Sequence, residues 1–189
     1  MLLEPIKTDR LLIREFLETD LASIHVYASK EEVTRYVPFS PNSETDTKEF
    51  LTRAMAFQAQ DPRNHYELAV ILQENGTLIG GCGIHISNPL QREGFIGHCY
   101  DTTYWNKGYA TEAGNALLQF GFGQLKLHRI YATCFPENFG SAKVLEKLGM
   151  QKEGRLREHM LQRGQWRDSL QYSILDYEYT PATSPVSNY

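Results

Sequence analysis

The chain encodes an α+β domain: one mixed, mostly antiparallel twisted sheet with helices on its faces. Three features predict it. Strand-like and helix-like periods alternate from one end to the other, turn signals join neighbouring strand runs into hairpins, and strand–helix–strand units supply a parallel element. The order reads β-α-α-β-β-β-α-β-α-β-β, with about four helices.

Leu11 to Phe16 is the first strand, and Asp20 to Ser29 a short helix behind Thr19 or Asp20 as cap. The Pro-flanked stretch Pro38-Phe39-Ser40-Pro41-Asn42 is a loop. Ser43 opens a second helix with Phe50, Leu51, Ala54 and Phe57 at helical spacing. Tyr66 to Gln73 and Leu78 to Ser87 form a hairpin whose Asn75-Gly76 pair favours positive φ at both positions. Phe95 to Tyr100 is the fourth strand. A helix follows with Ala113, Ala116, Leu117 and Phe120 on one face, and Arg129 to Phe135 is the fifth strand. Phe139 to Leu148 is the last helix, with Gly149 as its C-terminal cap. Gln151 to Gln162 and Trp166 to Tyr179 pair across Arg163-Gly164-Gln165. Residues 1–179 thus form a single domain, and 180–189 a Ser/Thr/Pro tail without enough apolar surface to order itself.

A 189-residue chain buries roughly 70% of its unfolded surface, so its core needs no disulfide or metal. The net charge of −4 argues against coating nucleic acid or an anionic membrane. Cys82, Cys99 and Cys134 are dispersed and odd in number, which reads as reduced thiols in a cytoplasmic setting with no zinc site. The N-terminus has no signal-peptide pattern, and no apolar run approaches the ~20 residues that span a bilayer. Gly81-Cys82-Gly83 lies inside a strand and lacks the third glycine of a dinucleotide fingerprint. There is also no P-loop lysine, no G-x-S-x-G and no H-E-x-x-H.

What remains is Lys107-Gly108-Tyr109-Ala110-Thr111, between the fourth strand and a helix. Small residues at 108 and 110 let a ligand approach the backbone. The helix start offers unpaired N–H groups and about half a positive charge, Lys107 adds a cation, and Thr111 serves as cap or extra donor. This pattern suits a pyrophosphate cradle, and equally a plain strand-to-helix turn.

Trp105 to Ala113 (WNKGYATEA) resembles the R/Q-x-x-G-x-G/A acetyl-CoA loop of the GNAT N-acetyltransferases, with Trp105 where many members carry Arg or Gln. Pro136 to Met150 (PENFGSAKVLEKLGM) is similar to that family's second signature. Gly154-Arg155-Leu156-Arg157-Glu158, Trp166-Arg167-Asp168 and Thr8 to Arg14 resemble the RimJ/RimL-like branch, whose members acetylate protein N-termini. The resemblance spans nearly the whole chain. It implies a GNAT fold with predicted strands four and five splayed, and pantetheine pairing along His98, Cys99 and Tyr100. One N–H there would hold the thioester oxygen, a contribution of about 3–4 kcal/mol by analogy with other oxyanion donors. The acetyl group would pass by direct attack of the amine, so Cys99 need not be catalytic and reads as a small apolar strand residue. Asn138 would contact the cofactor, cap the last helix, or both. Ser141 would protonate the leaving thiolate, or else bond to its own helix backbone.

Two positions depart from that pattern. Leu145 stands where many members have a tyrosine acid, and Phe95 where the RimJ/RimL-like branch usually has a glutamate. Glu93 and Asp101 are out of register, and His98 has a suitable intrinsic pKa but aromatic neighbours, so the general base is unassigned. An α-amino group near pKa 8 costs about 1.4 kcal/mol to free at pH 7, and a lysine near 10.4 roughly 4.6 kcal/mol. A site without a strong base therefore suits an N-terminus or another weakly basic amine better than a lysine. Phe39 is the candidate lining residue for the acceptor. The expected partners are acetyl-CoA and an amine acceptor, with no metal, nucleic acid or membrane, and a homodimer is open. The alternatives are a non-catalytic acyl-CoA-binding module and acetylation of a polyamine or antibiotic amine.

Overall fold

The computed structural model describes residues 3–181, so the tail read from 180 onward lies outside them beyond 181. Eight strands make one sheet: β1 (Ile6–Lys7), β2 (Leu11–Glu15), β3 (His65–Leu72), β4 (Leu78–Asn88), β5 (Glu93–Tyr100), β6 (Arg129–Cys134), β7 (Gln151–Gln162) and β8 (Gln165–Leu175). Their spatial order is β1-β2-β3-β4-β5-β6-β8-β7. Every neighbouring pair is antiparallel except β5 and β6, which run parallel. The helices are α1 (Leu21–Ala28), α2 (Glu31–Thr34), α3 (Glu44–Gln58), α4 (Tyr109–Gly123) and α5 (Phe139–Lys147). Neither the two-residue β1 nor the one-turn α2 carries enough periodicity to be read from sequence.

The sheet separates two cores. On one face Leu68, Val70, Ile84, Ile96 and Ile130 pack against Ala113, Leu117, Leu118 and Phe120 of α4. On the other face Ala69 and Ile71 meet Ile24 and Tyr27 of α1 and Leu51 and Ala54 of α3, with Phe16 between them. Strand alternation sends neighbouring residues of β3 to opposite cores. No helix among the described residues is long and apolar enough to cross a membrane.

Local chemistry explains most boundaries. Ser43 caps α3 by accepting from the Asp46 N–H, and Asp46 answers by accepting from the Ser43 N–H at 2.8 Å. Gly149, with φ of 78°, follows the Leu148 cap of α5 and donates to the Glu146 carbonyl at 3.0 Å. Arg163 and Gly164, both at positive φ, close β7 and β8 as a two-residue hairpin.

Three local expectations need correction. Asp20 occupies the cap position of α1 but makes no cap bond, because its carboxylate accepts from Arg14 and the Leu17 N–H. The β3–β4 connection is not a two-residue turn, and only Gly76 of the Asn75-Gly76 pair has positive φ. Leu72 bonds to the Thr77 carbonyl while Gly76 donates back to Leu72, which lengthens the loop to residues 73–77. Thr111 does not cap α4. The helix starts two residues earlier, behind Gly108 in the left-handed region at φ 84°, where a side chain would be strained.

Candidate active site

β5 and β6 pair only at Glu93–Arg129, Gly94–Ile130 and Phe95–Tyr131. Beyond Phe95 the two strands part, and the opening between them continues as a cleft of about 1050 Å³. Ile96 to Tyr100 form one wall and Ala132 to Cys134 the other. Sustaining a parted pair inside a sheet requires the halves to be held elsewhere. Arg129 does this at the closed end, binding Glu93 and Glu153, each at 2.5 Å.

At one end of the cleft lies the start of α4. Its first intrahelical bond runs from the Glu112 N–H to the Gly108 carbonyl, so the N–H groups of Tyr109, Ala110 and Thr111 precede the ladder. All three residues, and Gly108, line the cleft. Arg10 pins this loop. Its guanidinium binds the Glu112 carboxylate at 2.6 Å, donates to the Lys107 carbonyl at 3.0 Å, and lies 4.5 Å from the Tyr109 ring centroid. Glu112 also accepts from the Thr8 hydroxyl, and these bonds hold its carboxyl below the usual range even though partial burial opposes ionisation.

The second signature reaches the same cleft. Asn138 caps α5 by accepting from the Ser141 N–H at 3.1 Å, which leaves its amide nitrogen for other partners. Ser141 is half-buried beside Cys134, whose thiol burial pushes up to about 11. At the far end Tyr36, Val37, Pro38 and Phe39 form the rim. Gln162 at the end of β7 holds that loop by donating to the carbonyls of Arg35 and Val37.

A match over residues 10–151 to the family model described as "Acetyltransferase (GNAT) domain" decides the family. The chain belongs to the GNAT acetyltransferases. It is 36% identical over 174 residues to the Bacillus subtilis "Uncharacterized N-acetyltransferase YnaD", covering 92% of this chain and 98% of that protein. It is 31% identical over 87 residues to an Escherichia coli "[Ribosomal protein uS5]-alanine N-acetyltransferase", covering 46% of this chain and 45% of that one. Among solved structures, a GNAT-family acetyltransferase from Bacillus anthracis superposes with a TM-score of 0.82 at 36% identity, covering 92% of this chain and 99% of that one. The RimJ/RimL-like resemblance and the GNAT fold are thereby borne out, and the protein is an N-acetyltransferase.

Within this GNAT cleft the structure gathers His98, Cys99, Tyr100, Gly108, Tyr109, Ala110, Thr111, Asn138, Ser141 and Phe39, all chosen from sequence. Lys107 is the exception. Its ammonium lies over the Tyr104 ring, 5.4 Å from the centroid, rather than on the cleft wall, because the left-handed residues Asn106 and Gly108 turn the backbone around it. The cations that do line the wall are Lys143 and Lys147 of α5, together with Arg53 of α3.

His98 is unsuited to the role of base, since burial lowers its imidazole to about 4 and the ring packs against Tyr100. Burial pushes the Cys99 thiol up to about 12, which disfavours the thiolate that a nucleophile requires. Glu93 is held by Arg129, and Asp101 by Lys30 at 2.6 Å. Tyr100, in the same wall, has a buried hydroxyl with no hydrogen-bond partner among the described residues.

Three contributors escaped the sequence reading. Arg10 sits far in sequence from the loop it pins, and only its place in the Thr8–Arg14 stretch hints at a role. Gly97 is exposed in the middle of β5 with open space where a Cβ would stand. Glu67 is the single acid in the run His65 to Leu72, a signal visible in the sequence.

Proposed function

We propose that this protein moves the acetyl group of acetyl-CoA to a primary amine by direct attack, with the α-amine of a protein or peptide N-terminus as acceptor. The parting of β5 and β6 into a cleft that begins at the bare N–H groups of α4 carries this reading. Those N–H groups, on Tyr109, Ala110 and Thr111, bind the diphosphate, aided by the helix dipole. Lys143 and Lys147 add positive charge, and the Asn138 amide nitrogen contacts the cofactor. The β5 backbone from His98 to Tyr100 pairs with pantetheine as an added strand. One of its N–H groups polarises the thioester carbonyl. Ser141, half-buried across the gap, gives the leaving sulfur its proton. Phe39 and Tyr36 line the acceptor entrance.

The entrance is acidic. Asp46 and Glu49 of α3 line it, with Arg53 the one cation that helix contributes to the lining, and Glu67 lies deeper on β3, so a cationic acceptor is drawn in. The same carboxylates favour a second reading, a polyamine acceptor.

Calorimetric titration with CoA, followed by acetylation assays, tests the assignment. Ala110→Asp places a carboxylate at the second residue of α4, where it suits the helix dipole but repels a diphosphate. The variant should keep or raise its melting temperature while CoA binding weakens at least tenfold. A folded wild type that binds no CoA overturns the reading. Turnover of spermidine in preference to an alanyl peptide selects the second acceptor class.

A further inference from the structure

The register across β3, β4 and β5 lays out three successive rows on the sheet face opposite α4. Glu67 of β3 stands opposite Gly83 of β4, and Gly83 opposite Gly97 of β5. On one side, His65, His85, Phe95 and Tyr131 form a continuous row of rings, with successive centroids 5.1, 4.6 and 5.7 Å apart. On the other side Gly81 is covered by Phe16 and Tyr27. Between these two rows the two glycines leave a trough. A Cβ on Gly97 would meet nothing within 4 Å. The trough runs from Gly83, where Glu67 Oε2 and His85 Nε2 each lie 3.0 Å from the Cβ position, to the open edge of β5, where β6 has parted.

Glu67 closes its inner end. The carboxylate leans over the neighbouring strand, with Oε2 3.0 Å from where a Gly83 Cβ would sit. That places it about one strand spacing, near 4.8 Å, from the row position of Gly97. Four carboxylates line the cleft: Asp46, Glu49, Glu67 and Glu137. The first two and Glu137 are exposed, while Glu67 is only 26% exposed. His85 Nε2 lies 3.4 Å from its Oε1, and His85 Nδ1 is itself engaged with His65 Nδ1 at 2.9 Å. Burial lowers His85 to about 4, so this neighbour is neutral and does not tie the carboxylate up in an ion pair.

We propose that Glu67 is the general base that deprotonates the acceptor ammonium at the end of this trough. The inference rests on the transferase reading above. Glu67 takes one proton from the ammonium and releases it to water through its exposed edge. The freed nitrogen lone pair forms the C–N bond and the C–S bond breaks, its electron pair going to sulfur. The second proton lost by nitrogen ends on that sulfur. Ammonium and thioester thus balance as amide, thiol and one released proton. Burial raises the Glu67 carboxyl from 4.5 to about 7 against the partial relief of Arg53, which matches it to an α-amine near 8 better than to a lysine. The titratable and charged groups around it are Arg53 on α3, His85 on β4, Tyr27 on α1 and the Cys82 thiol.

The experiment compares wild type, Glu67→Gln and Glu67→Asp on four probes: an alanyl peptide, a seryl peptide, an N-terminally blocked lysine peptide and spermidine. Thiol release is followed from pH 5 to 10, and CoA binding is measured separately. The expected result is a loss of roughly 100-fold in kcat/KM for Glu67→Gln with unchanged CoA affinity. Its low-pH limb should also move to that of the free amine, and Glu67→Asp should fall between. Wild-type turnover with Glu67→Gln within threefold and an unchanged pH profile overturns the base while leaving the transferase reading intact. A wild type that binds CoA but acetylates none of the four probes overturns both.

Discussion

The two faces of the β3–β5 sheet are made from the same strands and could hardly be more different. Toward α4, alternate positions carry Leu68, Val70, Ile84 and Ile96, each at most 6% exposed. Toward the cleft, the intervening positions carry Glu67, Gly83, Gly97 and a row of rings with two histidines. One face therefore holds the fold and the other forgoes packing to make room for ligands. The comparison teaches that strand alternation lets stability and chemistry be tuned almost independently, one residue apart.

Truncation on the packed face should have the largest effect. Ile84→Ala removes a side chain with no exposure and should destabilise the fold by about 2–5 kcal/mol in urea unfolding. A cost below 1 kcal/mol would mean that this face is not the one that stabilises.

On the cleft face the sign should reverse. Burial holds the Glu67 carboxyl at about 7, above its ordinary 4.5. Below pH 4.5 the group is protonated whether the chain is folded or not, and its burial costs little. As pH rises from 4.5 through 7 the unfolded chain ionises more readily, so stability is lost over that window and stays lost above it. Glu67→Gln should thus stabilise the protein at pH 8, by about 1–3 kcal/mol, and leave it unchanged near pH 4. Thermal melts at the two pH values check this, and an equal shift at both would break the contrast.

The smallest effect separates the two properties within one residue. Gly97→Val adds a strand-favouring side chain in open space and should raise stability by up to about 1 kcal/mol. The same methyl groups fill the trough, so kcat/KM should fall about tenfold, equivalent to 1.4 kcal/mol. Intact turnover in this variant would show that the acceptor does not pass over Gly97.

How far the sequence foretold this division depends on whether the signal was local. Strand and helix periods, the Ser43 cap and the Gly149 terminator are written in neighbouring residues, and the corresponding elements appear within a residue or two, except that the last strand ends at Leu175, four residues before Tyr179. The loop 108–111 and the Asn138–Ser141 turn are legible as candidate segments because each packs several polar or small residues into one short stretch, and both line the cleft. The charge of Lys107 is visible in sequence, while the direction of its side chain beside two left-handed residues is not. Glu67 and Gly97 lie 30 positions apart and become neighbours only through the β3–β4–β5 register. Arg10 reaches Glu112 across 102 positions by a route that no local pattern records.

The short parallel seam between β5 and β6 has a mechanical consequence. Three residue pairs join two half-sheets, and the β5 backbone beyond Phe95 is a strand edge enclosed within the molecule. Open edges elsewhere invite aggregation, but here the walls of the cleft shield it from other chains. A ligand with its own amide groups can complete the sheet from inside and so act as a rivet between the halves. At a hundred times its dissociation constant such a ligand adds about 2.7 kcal/mol to the folded state. The backbone amides of residues 96–100 are where that added rigidity would first be felt, as slowed exchange with solvent.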